Sequence, residues 1–177
     1  MSSPLKITKK RPRDYILYSA IIAAGIFLDQ LTKWLAVKFL SEIDTCPIIK
    51  NVIHLTYVEN RGAAFGMFKD QRWIFMITST VMIVGLALYL YLGLAENKLY
   101  EISIAMIISG GIGNMIDRII LEYVIYFIDF RLINFAVFIG ADSFVCVGAG
   151  LLVLALVLDI VKESKKAKAS KGDGSVE

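Results

Sequence analysis

Four apolar stretches of about twenty residues dictate what this chain can fold into, because a run of that length just spans the hydrocarbon core of a bilayer. They extend from Tyr15 to Leu40, Trp73 to Leu94, Ile102 to Leu121 and Phe135 to Leu158. The expected fold class is an α-helical membrane protein with four transmembrane helices, a single integral membrane domain over residues 1–177. Hydrophobic residues are 57% of the total, too many for an ordinary soluble domain. The first run carries Asp29, Lys33 and Lys38 and shows no small-residue cleavage site in an obvious place, so a cleavable signal peptide is not expected.

Topology follows from charge. Lys6, Lys9, Lys10, Arg11 and Arg13 precede the first run, and Lys162, Lys165, Lys166, Lys168 and Lys171 follow the last. Basic residues flanking spans stay in the cytoplasm, which puts both tails (1–14 and 159–177) inside and agrees with an even number of spans. A basic tail also suits nucleic acid or anionic lipid, but beside a span the topological reading is preferred, and no nucleic-acid partner is expected. The link at Glu96, Asn97 and Lys98 is an inner turn, while Ser41–Arg72 and Glu122–Asn134 face out. In the first outer link, residues Val52 to Val58 alternate and are rich in β-branched and aromatic types, which predicts a strand pair on the outer membrane surface. Gly62 and Gly66 then permit the turns that end it. The Lys-, Ser-, Ala- and Gly-rich tail from Ser164 to Glu177 has nothing to bury and is expected to be disordered. Cys46 and Cys146 imply neither a disulfide nor a metal framework.

Ionisable residues inside a membrane are costly and point to function. At about 1.5 Å per residue, Asp29 lies roughly 20 Å along the first span, Asp117 at a similar height on the third, and Asp142 roughly 10 Å below the outer end of the fourth. Three carboxylates thus share one level near the outer face. Asp29 and Lys33, four apart, sit on one helix face and form a pair; Arg118 is expected to pair with its neighbour Asp117. Asp142 has no basic neighbour in its own span. His54 reads as a surface or packing residue without a partner, and Trp34 and Trp73 as interfacial anchors.

The segments LDQLTKW, VENRGAAFG, GGIGNMIDRI and FAVFIGADSFVCVG together resemble, in order and spacing, the lipoprotein signal peptidases, also called signal peptidase II. The resemblance implies a bacterial inner-membrane aspartic endopeptidase. Such an enzyme removes the signal peptide from a prolipoprotein just before a diacylglyceryl-cysteine, needs no metal or cofactor, and works as a monomer in contact with membrane lipid. It also implies two catalytic aspartates. One maps onto Asp142. The other falls eight residues after Arg118, where this chain has Tyr126, and the family's asparagine near the second aspartate falls on Ile139. Asn60, Gly62 and Ala63 match the outer-loop motif, Asn114 and Arg118 the polar residues beside the dyad, and Asp29 and Lys33 the first motif.

A phenol with a pKa near 10 cannot act as a carboxylate base at neutral pH. Asp129 and Asp117 are the substitute carboxylates available, although Asp129 is three residues from Tyr126 and an odd offset in an extended segment points the opposite way. Three functions remain open: a signal peptidase II acting through Asp142 with an unconventional partner, a silent member of the fold that binds lipidated substrate, and a small transport or proton-conducting bundle. The last predicts polar residues through the cytoplasmic half as well.

Overall fold

The computed structural model describes residues 10–43, 45–62, 71–95, 97–133 and 137–172. Its four long helices are α1 (Pro12–Leu40), α2 (Arg72–Tyr91), α3 (Lys98–Ile120) and α4 (Gly140–Gly172). All four are long and apolar enough to cross a membrane. Between them lie three strands, β1 (Thr45–Ile49), β2 (Ile53–Asn60) and β3 (Val124–Phe130).

Local chemistry sets the helix ends. α1 begins with Pro12, whose missing N–H costs nothing at the first helical position, and the Asp14 carboxylate accepts from the Arg11 N–H at 3.0 Å. α3 begins at Asn97, whose Oδ1 accepts from Leu99 N at 3.0 Å and Tyr100 N at 3.1 Å, satisfying two of the donors a helix start leaves open. α2 ends at Tyr91, and Gly93 just beyond it turns the chain with φ 75°, a left-handed conformation glycine adopts without strain. The α2–α3 link is thus the tight turn expected, its Glu96 lying outside the described residues.

α3 is the hub, packed against α1, α2 and α4. Glycine makes the α3–α4 approach possible: a Cβ on Gly110 would overlap the Ala141 carbonyl oxygen and stand 2.7 Å from Val145 Cγ2. Small residues let helix backbones meet in this way where lipid supplies no hydrophobic drive. Gly110→Ala is therefore expected to cost about 1–3 kcal/mol by overpacking, because a backbone oxygen cannot step aside. A clear fall in the thermal midpoint of the detergent-solubilised protein checks this; an unchanged midpoint would contradict so close a packing. α2 buries only Leu90 and turns Ile77, Val81, Val84 and Leu88 outward, as a lipid-facing helix does.

The strands form one antiparallel sheet in the order β1-β2-β3. It covers an apolar cluster of Ala36, Leu40, Val124, Ile125, Phe127, Ile139 and Ala141, so the sheet is seated on the ends of α1 and α4. The alternating segment yields the expected strand pair, and β3 is an addition: it pairs with β2 through Val58↔Tyr126 and Asn60↔Val124.

Several expectations need correction. α4 starts at Gly140, not Phe135, because Phe138 forms a bridge with Ile128 of β3 and so keeps the chain extended. The helix then runs to Gly172, so the stretch from Ser164 is not disordered there: lysine and alanine are good helix formers. Residues 173–177 lie outside the described residues. Gly62 is not among the described residues with positive φ; the turn is held instead by its N–H donating to Asn60 Oδ1 at 2.8 Å. Gly66 and Ala63 lie outside the described residues. His54 is not partnerless: it is buried, Asn51 N donates to its Nε2 at 3.3 Å, and its Nδ1 lies 3.4 Å from Thr45 Oγ1.

Candidate active site

The sheet end of the helix bundle gathers two polar groups side by side. The first is a buried ion network. Lys33 Nζ lies 2.7 Å from Asp29 Oδ2 and 2.9 Å from Asp117 Oδ2, with all three side chains at most 2% exposed. Asp117, placed by the sequence reading beside Arg118, therefore pairs with Lys33. The remaining carboxylate lone pairs are also used. Ala141 N donates to Asp29 Oδ1 at 2.9 Å, Gln30 Nε2 to Asp117 Oδ1 at 2.9 Å, and Ile125 N to Asp117 Oδ2 at 3.3 Å. Gly113 makes room for the cluster, since a Cβ there would stand only 2.5 Å from Asp29 Oδ2. One lysine thus ties α1, α3, β3 and the start of α4 together. Neither Asp117 oxygen is left free for chemistry.

The second group surrounds Asp142, two residues into α4. Asn114 Nδ2 donates to Asp142 Oδ1 at 2.9 Å. Tyr126, on β3, lies within hydrogen-bonding reach of both the Asp142 carboxylate and the Asn60 side chain. Asn60 Oδ1 is already engaged by Gly62 N, which leaves its amide N–H to donate to the phenol. Arg118 faces Asp142 and Tyr126 within electrostatic reach, donates to Asn114 O at 3.3 Å, and stacks over Phe75 of α2 at 5.2 Å. Burial, together with the negative charge of Asp142, pushes the Tyr126 phenol up to about 12. It is neutral at any physiological pH.

Two features leave this group incomplete. Ile139 is fully buried, 0% exposed, and offers no polar atom. Asn114 Oδ1 is buried with no hydrogen-bond partner among the described residues, a cost of roughly 1–3 kcal/mol for an acceptor of this kind.

Asp129 lies apart. It accepts from Thr56 Oγ1 at 3.1 Å and Arg131 Nε at 2.9 Å, in a cross-strand network that continues to Thr45. The structure therefore brings together Asp142, Tyr126, Asn60, Asn114 and Arg118, places Gly62 beside them through Asn60, and gathers Asp29, Lys33 and Asp117 into the adjoining network. Gln30 was not singled out by the sequence reading. Its signal was available, as a polar residue next to Asp29 in an apolar run. Among the described residues no cluster of three metal-ligating side chains occurs.

An apolar four-helix bundle that concentrates a carboxylate, two amides and a guanidinium under a small sheet defines a membrane-embedded enzyme with an acid–base site. Residues 21–158 match the family model described as signal peptidase (SPase) II. The lipoprotein signal peptidase of Caldanaerobacter subterraneus subsp. tengcongensis is 52% identical over 132 residues, covering 75% of this chain and 90% of the relative. That of Clostridioides difficile is 46% identical over 140 residues, covering 78% and 93%. A solved structure, described as a bacterial membrane enzyme determined by the in meso method at 2.3 Å resolution, superposes with a TM-score of 0.72 at 26% identity, covering 81% of this chain and 89% of that one. The chain belongs to the signal peptidase II family. It is a multi-pass peptidase of the bacterial inner membrane.

Proposed function

We propose that this chain binds a diacylglyceryl-modified prolipoprotein with the scissile bond at Asp142, and that its hydrolysis is slowed by the phenol standing at the position of the family's second aspartate. The observation that carries the reading is Tyr126 lying against Asp142, with Asn60, Asn114 and Arg118 around the pair. Both termini are cytoplasmic, by the distribution of Lys and Arg. The sheet then lies at the outer surface, where a lipidated cysteine keeps its acyl chains in the bilayer beside the cleft. Among the described residues one copy supplies Asp142, Tyr126, Asn60, Asn114 and Arg118 together, which supports action as a monomer.

A positioned acid or base is worth about 10²–10⁴ in rate, and that is the expected shortfall here. The conducting-bundle alternative fares worse: the inner end of the bundle does hold buried charge, with Glu101 paired to Lys10 and Lys98 and Asp14 paired to Lys98, but these groups are tied up in ion pairs, and the core cluster of Tyr18, Leu90, Ile104, Ala105 and Ile108 follows Glu101 along α3, before Asp117. The test is a gel-shift cleavage assay with long incubation, on a lipidated and an unlipidated prolipoprotein. Slow cleavage of the lipidated form alone, lost in Asp142→Asn, is the result expected. Equal cleavage by Asp142→Asn would place the chemistry elsewhere.

A further inference from the structure

The residue that breaks the family pattern is held like a working part. Tyr126 is fixed opposite Val58 by the pairing of β3 with β2, and lies within hydrogen-bonding reach of the Asn60 amide and of Asp142, the carboxylate that Asn114 Nδ2 holds at 2.9 Å. We propose that Tyr126 is the electrophilic half of a mixed phenol–carboxylate dyad: its O–H donates to the scissile carbonyl oxygen while ionised Asp142 takes a proton from the attacking water. The inference rests on the reading of this cleft as the cleavage site.

The step balances without a second carboxylate. Water loses a proton to Asp142, and its oxygen forms a bond to the carbonyl carbon. The resulting oxyanion is held by the Tyr126 hydroxyl, which keeps its own proton. Asp142 then returns the proton to the amide nitrogen as the carbon–nitrogen bond breaks, releasing the new amino terminus and leaving a carboxylic acid on the signal peptide. Asn114 Nδ2 donates to Asp142 Oδ1 at 2.9 Å and so orients the carboxylate, with the Arg118 guanidinium facing it.

The mixed dyad differs from two aspartates in how it uses protons. Two close carboxylates share one proton and lose it in the ordinary carboxylic-acid range. A phenol keeps its proton far into the alkaline region, and Tyr126 is raised further by burial and by Asp142. Activity should therefore stay level well into the alkaline region. It should fall only as Tyr126 itself titrates.

The experiment compares the unaltered protein, Tyr126→Phe and Tyr126→Asp for cleavage of a diacylglyceryl-modified prolipoprotein across pH. Retention of the same lipoprotein on immobilised enzyme is measured in parallel, with thermal midpoints to confirm folding. The loss of one oxyanion donor is expected to lower kcat about 10²–10³-fold in Tyr126→Phe with KM little changed. The alkaline plateau should belong to the unaltered protein, and a falling limb at lower pH to Tyr126→Asp. Equal kcat for Tyr126→Phe and the unaltered protein would overturn the inference, as would substrate retention without any cleavage. Failure of all three proteins to retain the lipoprotein would instead overturn the reading of the cleft as its binding site.

Discussion

Replacing Tyr126 by aspartate is expected to raise the rate of prolipoprotein cleavage about 10²–10⁴-fold, the range a positioned acid or base contributes. The backbone is already in place, since β3 holds position 126 opposite Val58 and beside Asp142. An aspartate there is smaller than tyrosine and leaves room for the attacking water. Carboxylates that close cannot both ionise, so one keeps the proton that the other needs opposed. Adding Ile139→Asn should increase the gain, because it puts an amide in place of a buried apolar side chain three residues from Asp142. The measurement is the initial rate in a gel-shift assay for the single and double variants. A single variant no faster than the unaltered protein would show that position 126 does not limit the reaction.

Lys33→Met is expected to produce the largest loss of stability. Its ammonium bridges Asp29 and Asp117, all three side chains being at most 2% exposed. Removing one partner of a buried pair costs about 3–5 kcal/mol, because the remaining charge is left without compensation. In a chain of this length that corresponds to a fall in thermal midpoint of roughly 6–20 °C. Both carboxylates then lose the cation they share. The combination Asp29→Asn, Lys33→Met, Asp117→Asn should recover much of the loss, since a buried charged cluster replaced as a whole is often neutral in energy. If Lys33→Met alone leaves the midpoint of the detergent-solubilised protein unchanged, the network does not hold the bundle together.

The four helices could be read from the sequence because a membrane leaves few alternatives: about twenty predominantly apolar residues are a span. Asp142 was legible for the same reason, as an acid with no local partner in such a run. The Asp29–Lys33 pair followed from helix periodicity alone. What escaped were contacts between residues distant in the chain. Nothing local joins Lys33 to Asp117, whereas Arg118 is its immediate neighbour, so proximity in sequence suggested the wrong partner. The start of α4 escaped because Phe135 to Ile139 is equally apolar as helix or as extended chain, and hydropathy cannot tell the two apart. The bridge from Phe138 to Ile128 decides it. The helical continuation through the lysine-rich segment to Gly172 is hidden because so polar a stretch reads as disorder, although local propensity there favours helix.

The reading of the site depends most on positions 126 and 142 acting as one unit. The measurement that tests this directly is the cleavage rate of Tyr126→Asp with and without Asp142→Asn in the same chain. The account predicts that the acceleration brought by Tyr126→Asp disappears completely once Asp142 is an asparagine. An acceleration that survives Asp142→Asn would contradict it, and would place the second carboxylate somewhere other than Asp142.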